Sequence, residues 1–312
     1  MKLKSLNIGR LTTNNNIVLA PMAGYTDYAF RHLAIKQGYG LTFTELVSAK
    51  GIMYGGKGSE DLLYTGEDTA RTVAQLFGSD EYYMQSACES QALSQFSVVD
   101  INMGCPVPKV FKNGEGSALL TDIQKAERII KACVKSGKTI TVKIRTGIKQ
   151  GDDIARDYAV MAEQSGASLI TIHGRVRDAY YSGEPNYDAI ASAKNAVKIP
   201  VIANGGIFTV EDADKMLNNT GADGIMLARG GIADPFLVCK LLGETPSVTL
   251  KTFMKEQLCL MAKNYGEDRA YREFRKFVPY YFKGVPNSKE TRISLQTASS
   301  VEEIYQIIDG IL

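Results

Sequence analysis

The chain has 312 residues, 45% of them hydrophobic, and 36 basic against 34 acidic side chains give a formal net charge of +2. That length holds one large domain plus a small one, and the near-neutral balance excludes a protein that binds polyanions over its whole surface. Five scattered cysteines (Cys88, Cys105, Cys133, Cys239 and Cys259) form neither a disulfide framework nor CxxC metal spacing, and with only His32 and His173 beside them no metal site is expected. This usage fits a reducing cytoplasm. The first seven residues lack the apolar core of a signal peptide, and no uncharged run has the length of a membrane span.

In chain order, eight near-continuous apolar runs read as strands: residues 17–20, 41–45, 71–76, 98–102, 139–144, 168–172, 200–203 and 223–227. Continuous rather than alternating hydrophobicity marks strands buried on both faces of a parallel sheet. Helical periodicity lies between most of them, over 27–37, 80–94, 122–135, 152–164, 210–218 and 235–242. Several of these segments open on Asp, a good N-cap, and Gly38, Gly137, Gly166 and Gly221 stand where helices should stop. The alternation predicts an α/β (β/α)8 TIM barrel. A doubly wound open sheet is the competing architecture; it uses fewer strands and gathers its glycines after the first.

The barrel is expected to end at residue 243, with Thr245-Pro246-Ser247 as a linker and 244–312 as a small all-helical domain. Leu250, Phe253, Met254, Leu258, Met261 and Tyr265 keep helical spacing, and Tyr271, Phe274, Phe277 and Val278 mark a second apolar face. Arg269, Arg272 and Lys276 predict a basic stripe, joined by Arg275, inside a segment (263–292) with eight basic and four acidic residues. Ser300 and Glu303 read as a capping box ahead of Val301, Ile304, Tyr305, Ile308 and Ile311.

Chemistry-bearing residues follow the strands at one end. Asn102-Met103-Gly104-Cys105-Pro106-Val107-Pro108-Lys109 leaves the fourth strand as a loop stiffened by Gly and Pro. Cys105 alone has two readings, a small buried hydrophobe or a thiol placed for chemistry. Its companions favour the second. Pro21, Met22 and Ala23 follow strand one, Glu45 ends strand two, and Gln75 lies near the end of strand three. Lys143 and Arg145 end strand five, His173 and Arg175 strand six, Asn204-Gly205-Gly206 strand seven, and Ala228-Arg229-Gly230-Gly231 strand eight. All fall at the C-terminal mouth, where barrel enzymes build active sites. The last two loops are either ordinary left-handed turns or a phosphate cradle, and their joint place at the standard barrel phosphate site favours the cradle. A phosphate there suits a cofactor such as FMN, with Gln75 and Lys143 suited to its pyrimidine edge. His173 is read as a cofactor or substrate contact, against a hydrogen-bonded structural histidine.

These stretches resemble the tRNA-dihydrouridine synthase family in its bacterial DusB-like branch: 20–27 (APMAGYTD), 44–51 (TELVSAKG), 75–78 (QLFG), 100–106 (DINMGCP), 142–145 (VKIR), 172–175 (IHGR) and 202–206 (IANGG). The tail around residues 275–284 resembles the family's helical domain. The resemblance implies FMN bound by Pro21, Met22, Ala23, Gln75, Lys143 and His173, with Asn204, Gly205, Gly206, Ala228 and Arg229 at its phosphate. Gly206 stands where the family often has Asp, and Ala228 where it often has Gly. The implied reaction is reduction of a tRNA uridine to 5,6-dihydrouridine, with NADPH or NADH as reductant. Hydride passes from flavin N5 to C6, and Cys105 protonates C5 as general acid. Asn102 would hold the uracil edge, while Lys109, Arg145 and Arg175 would hold the base or nearby backbone. Arg269, Arg272, Arg275 and Lys276 would grip tRNA phosphates unless the stripe is a solvated helix face. The rival readings are an FMN-dependent dehydrogenase or reductase of a free pyrimidine, of dihydroorotate or dihydropyrimidine type, a non-reducing RNA-binding flavoprotein, and a barrel phosphate-ester isomerase.

Overall fold

Every predicted apolar run forms a strand in the computed structural model, which describes residues 4–310. The strands are β1 (Ile17–Leu19), β2 (Thr42–Ser48), β3 (Thr72–Phe77), β4 (Val98–Met103), β5 (Thr139–Arg145), β6 (Leu169–His173), β7 (Val201–Asn204) and β8 (Gly224–Leu227). All neighbours pair in parallel, and β1 also pairs with β8. A parallel bridge between Val18 and Leu41 closes the ring between β1 and the start of β2. The chain is a (β/α)8 TIM barrel with a helical C-terminal region.

Two buried clusters explain the continuous apolar runs. Val18, Phe43, Val73, Val98, Leu169, Ile202 and Met226 point into the barrel, where Leu6 and Ile8 join them. Those two come from the segment that forms a small hairpin, Asn7–Ile8 with Leu11–Thr12, so the N-terminal end of the barrel is plugged by apolar side chains. The alternate strand residues, such as Leu19, Ala74, Ile101, Val142, Ile172 and Leu227, face the helices. With both faces buried, polar residues survive inside a strand only where they are paired or at the mouth.

Asp27, Asp80 and Asp122 cap their helices, accepting from Phe30, Tyr83 and Lys125 N–H groups at 2.9, 3.1 and 2.9 Å. Asp152 does not: its carboxylate accepts from Ile148 and Lys149 N–H groups, and the helix starts later, at Ala155–Gln164. The segment read as one helix over 80–94 breaks at the extended Ser90 into Glu81–Glu89 and a short turn, Gln91–Leu93. Strand β2 runs beyond its expected end. Between Phe43 and Leu46 the register shifts, so that Thr44 and Glu45 together oppose Ala74. This bulge re-aims Glu45 at the rim of the mouth.

After Gly243 the chain has no element until Leu250–Tyr265, which is followed by Glu267–Phe274, Val278–Tyr281, Lys289–Thr297 and Val301–Asp309. These helices share the barrel's outer core: Phe30 stacks on Phe277 at 5.6 Å and meets Phe253 edge-on at 6.2 Å. Ser300 caps the last helix through Glu303 N–H, while the Glu303 carboxylate turns to Ser299 instead of completing the box. Ile311 lies outside the described residues. The basic stripe is interrupted. Pro279 cannot donate to the Arg275 carbonyl, and its ring clashes with a continued helix, so the helix stops at Phe274. Arg269 and Arg272 remain exposed, whereas Arg275 donates to the Ala298 carbonyl and Lys276 pairs with Glu273.

Candidate active site

The C-terminal ends of the strands surround a cavity of about 430 Å³. Pro21, Met22, Ala23, Asn102, Cys105, Lys143, Arg145, His173, Arg175, Asn204, Gly205, Gly206, Ala228 and Arg229 all line it. Gln75 does not: it is fully buried beneath the lining. Lys109 is exposed on the short helix Pro108–Lys112, away from the cavity wall.

A chain of polar side chains supports the thiol loop from below. Thr141 and Gln75 donate to Asp100, at 2.6 and 2.7 Å. Asn102 Nδ2 donates to Gln75 Oε1 at 2.8 Å. Asn102 Oδ1 accepts the N–H groups of Gly104 (3.1 Å) and Cys105 (2.9 Å), which fixes the turn that presents the thiol. The Asn102 carbonyl oxygen and one of its two Nδ2 hydrogens are therefore used within the protein, and the second N–H remains for a ligand in the cavity that Asn102 lines. The Cys105 carbonyl accepts from Ser117 N–H and Oγ at 3.1 and 2.7 Å, an anchor that no sequence signal announced. Burial pushes the Cys105 thiol up, opposed by the Val107 N–H and by Arg145, so the group is protonated near neutrality.

Positive charge gathers in the cavity. Burial and the charge of Arg145 push Lys143 down to about 8, with Asp100 acting the other way. Lys143 Nζ donates to Asn204 Oδ1 at 3.1 Å. Arg145 donates to the carbonyls of Gly104, Val176 and Tyr180, tying the loops after β4 and β6 together. Arg175 donates to the Ser182 and Gly183 carbonyls and lies 3.3 Å from His173 Nε2. Arg229 lies over the rings of Tyr181 and Phe208, at 4.4 and 5.8 Å. Burial, then Arg145, Lys143, Arg175 and Arg229, hold His173 well below its ordinary range, so it is a neutral hydrogen-bonding group. Four cations whose contacts are carbonyls, an amide, an imidazole and aromatic rings leave the cavity electropositive. It is built for an anionic ligand.

The glycines of the loops after β7 and β8 leave no room for side chains of their own. A Cβ on Gly205, where φ is +118°, would lie 2.8 Å from the His173 ring, and one on Gly230 would lie 2.0 Å from the Ile207 carbonyl oxygen. Backbone packed this closely exposes N–H groups to a ligand instead of side chains. The volume, the glycine cradle and the cations fit a phosphorylated planar cofactor. Tyr181, Phe208 and Tyr280 also line the cavity and were not foreseen; Tyr280 comes from the helical tail.

Among solved structures, the fold matches histamine dehydrogenase from Rhizobium sp. 4-9 with a TM-score of 0.58 at 15% identity, over 82% of this chain and 50% of that one. TcOYE in complex with pHBA matches with a TM-score of 0.58 at 12% identity, over 84% and 97%. This likeness places the chain among the (β/α)8-barrel folds. The dihydrouridine synthase (Dus) family model matches residues 18–309. A probable tRNA-dihydrouridine synthase of Rickettsia conorii is 36% identical, covering 92% of this chain and 90% of that protein. tRNA-dihydrouridine synthase B of Pseudomonas syringae pv. tomato is 35% identical (93% and 89%), and that of Pasteurella multocida 33% (98% and 95%). The chain belongs to the dihydrouridine synthase family, whose members are flavin-dependent enzymes acting on tRNA uridines.

Proposed function

We propose that this protein reduces the C5=C6 bond of a tRNA uridine with FMN, which NADPH or NADH recharges, and that Cys105 is the general acid. The observation that carries this reading is the Cys105 thiol, held on a turn fixed by Asn102, lining an electropositive, glycine-cradled cavity. Residues 1–243 form the catalytic barrel and 244–312 the tRNA-binding domain.

Pro21, Met22 and Ala23 would wall the flavin, Lys143 and His173 would face its ring, and Asn204, Gly205, Gly206, Ala228 and Arg229 would surround its phosphate, while Arg145 and Arg175 would hold the base or nearby backbone. FMN held there would supply hydride chemistry toward C6 of the uracil. Cys105 Sγ gives its proton to C5. The thiolate left behind is stabilised by the Val107 N–H and Arg145, the two groups that already oppose its high pKa. Asn102 and Gln75 act as positioning residues for that turn. The target base leaves its stack to enter the cavity, at a cost of a few kcal/mol.

FMN affinity should fall as pH rises through about 8, where Lys143 loses its charge. Titrating FMN binding against pH checks this, and Lys143→Met should remove the inflection. At the tail, Arg269 stacks on Tyr265 at 4.6 Å and pairs with the exposed Asp61, a weak partner that phosphate can displace. Arg269→Glu/Arg272→Glu should weaken tRNA binding and flatten its salt dependence by about one log–log unit per lost contact, with FMN content unchanged. Mapping dihydrouridine in tRNA from cells with and without the protein tests the whole proposal. Its disappearance at one or more positions is expected; identical maps would overturn the reading.

A further inference from the structure

We infer that the helical tail is part of the cofactor site: Lys276 and Tyr280 hold the 21–26 turn that walls the cavity, rather than meeting RNA. The inference rests on the proposed FMN role of that cavity.

The turn is a built object. Met22 N–H donates to Thr26 Oγ1 at 2.8 Å, and the Met22 carbonyl accepts from Tyr25 and Thr26 N–H groups. At its apex Gly24 adopts φ +78°, and its N–H donates to Glu45 Oε2 at 2.5 Å. Glu45 reaches this position from the β2 bulge. Against the same apex lies the Lys276 ammonium, 3.4 Å from where a Gly24 side chain would begin. Lys276 also pairs with Glu273 and lies over the Tyr25 ring at 5.8 Å. Tyr25 is gripped by the tail on two sides, edge-on to Phe277 and to Tyr280, each at 5.5 Å. Tyr280 itself lines the cavity. Tyr265, also from the tail, donates to Asp27 just behind the turn at 2.5 Å.

The charges agree with this geometry. Burial raises the carboxyls of both Glu45 and Asp27, and Lys276 is among the cations that offset it in each. Lys276 is paired with Glu273 and lies within coulombic reach of Glu45 and Asp27, so its charge is directed at the turn rather than at solvent. Removing it strips these carboxylates of a counter-charge and frees the Gly24 apex to move.

FMN binding to the full-length apoprotein, read by quenching of flavin fluorescence, tests this, with tRNA affinity and its salt slope measured in parallel. Lys276→Met should weaken FMN binding by about tenfold or more, with tRNA affinity and slope unchanged. Lys276→Arg should restore most of the loss, a rescue that a general packing defect does not give. Tyr280→Ala, which leaves the charged residues intact, should weaken FMN binding independently. Wild-type FMN affinity in either folded variant overturns the inference, as does a Lys276→Met protein that keeps FMN but loses tRNA affinity and salt slope. A wild-type protein that binds no FMN instead overturns the functional reading beneath it.

Discussion

Replacing Cys105 with alanine slows uridine reduction by about 10²–10⁴-fold, the range general acid catalysis supplies, and leaves flavin reduction by NAD(P)H close to wild type. The separation follows from the geometry. The Cys105 backbone is fixed by Asn102 and Ser117, so loss of the thiol removes a proton donor without releasing the turn. Stopped-flow traces of the two half-reactions check it: the flavin should be reduced normally and then reoxidised slowly by tRNA. Normal reoxidation would remove Cys105 from the chemistry, and loss of flavin would make it structural. Asn102→Ala should approach the same defect by another route, because two backbone N–H groups lose their acceptor and the thiol loses its aim.

Gly230→Ala should lower FMN affinity by roughly 10²-fold or more, since a methyl group 2.0 Å from the Ile207 carbonyl forces the two phosphate loops apart. The obstacle is backbone, which cannot swing aside as a flexible side chain does. FMN titration of the variant, with its melting temperature alongside, checks this. Unchanged affinity would place the phosphate elsewhere in the cavity.

The barrel was readable because both faces of every strand are buried, so each strand writes a continuous apolar run. The site was readable at the level of its location: in a parallel barrel, whatever follows the strands converges on one mouth. Partnerships within it were not. Strand position puts Gln75 and Asn102 near the same end, but only side-chain geometry shows that they bond each other and that Asn102 holds the Cys105 turn. The β2 bulge leaves no compositional mark, so Glu45 read as a strand terminus rather than as the acceptor for Gly24. The basic stripe is broken for a local reason, the helix break ahead of Pro279, which sends Lys276 to the barrel while Arg269 and Arg272 stay exposed. Tyr181 and Phe208 sit on loops without periodicity, and Tyr280 meets Tyr25 only through tertiary packing.

The central claim is that this cavity reduces uridine within tRNA. It is tested most directly by incubating unmodified tRNA with the purified protein, FMN and NADPH, then locating the product by mass spectrometry of nuclease fragments. The account predicts a gain of two hydrogens on uridine at defined positions, with free uracil and orotate left unreduced. Unchanged tRNA alongside reduction of a free pyrimidine would contradict it.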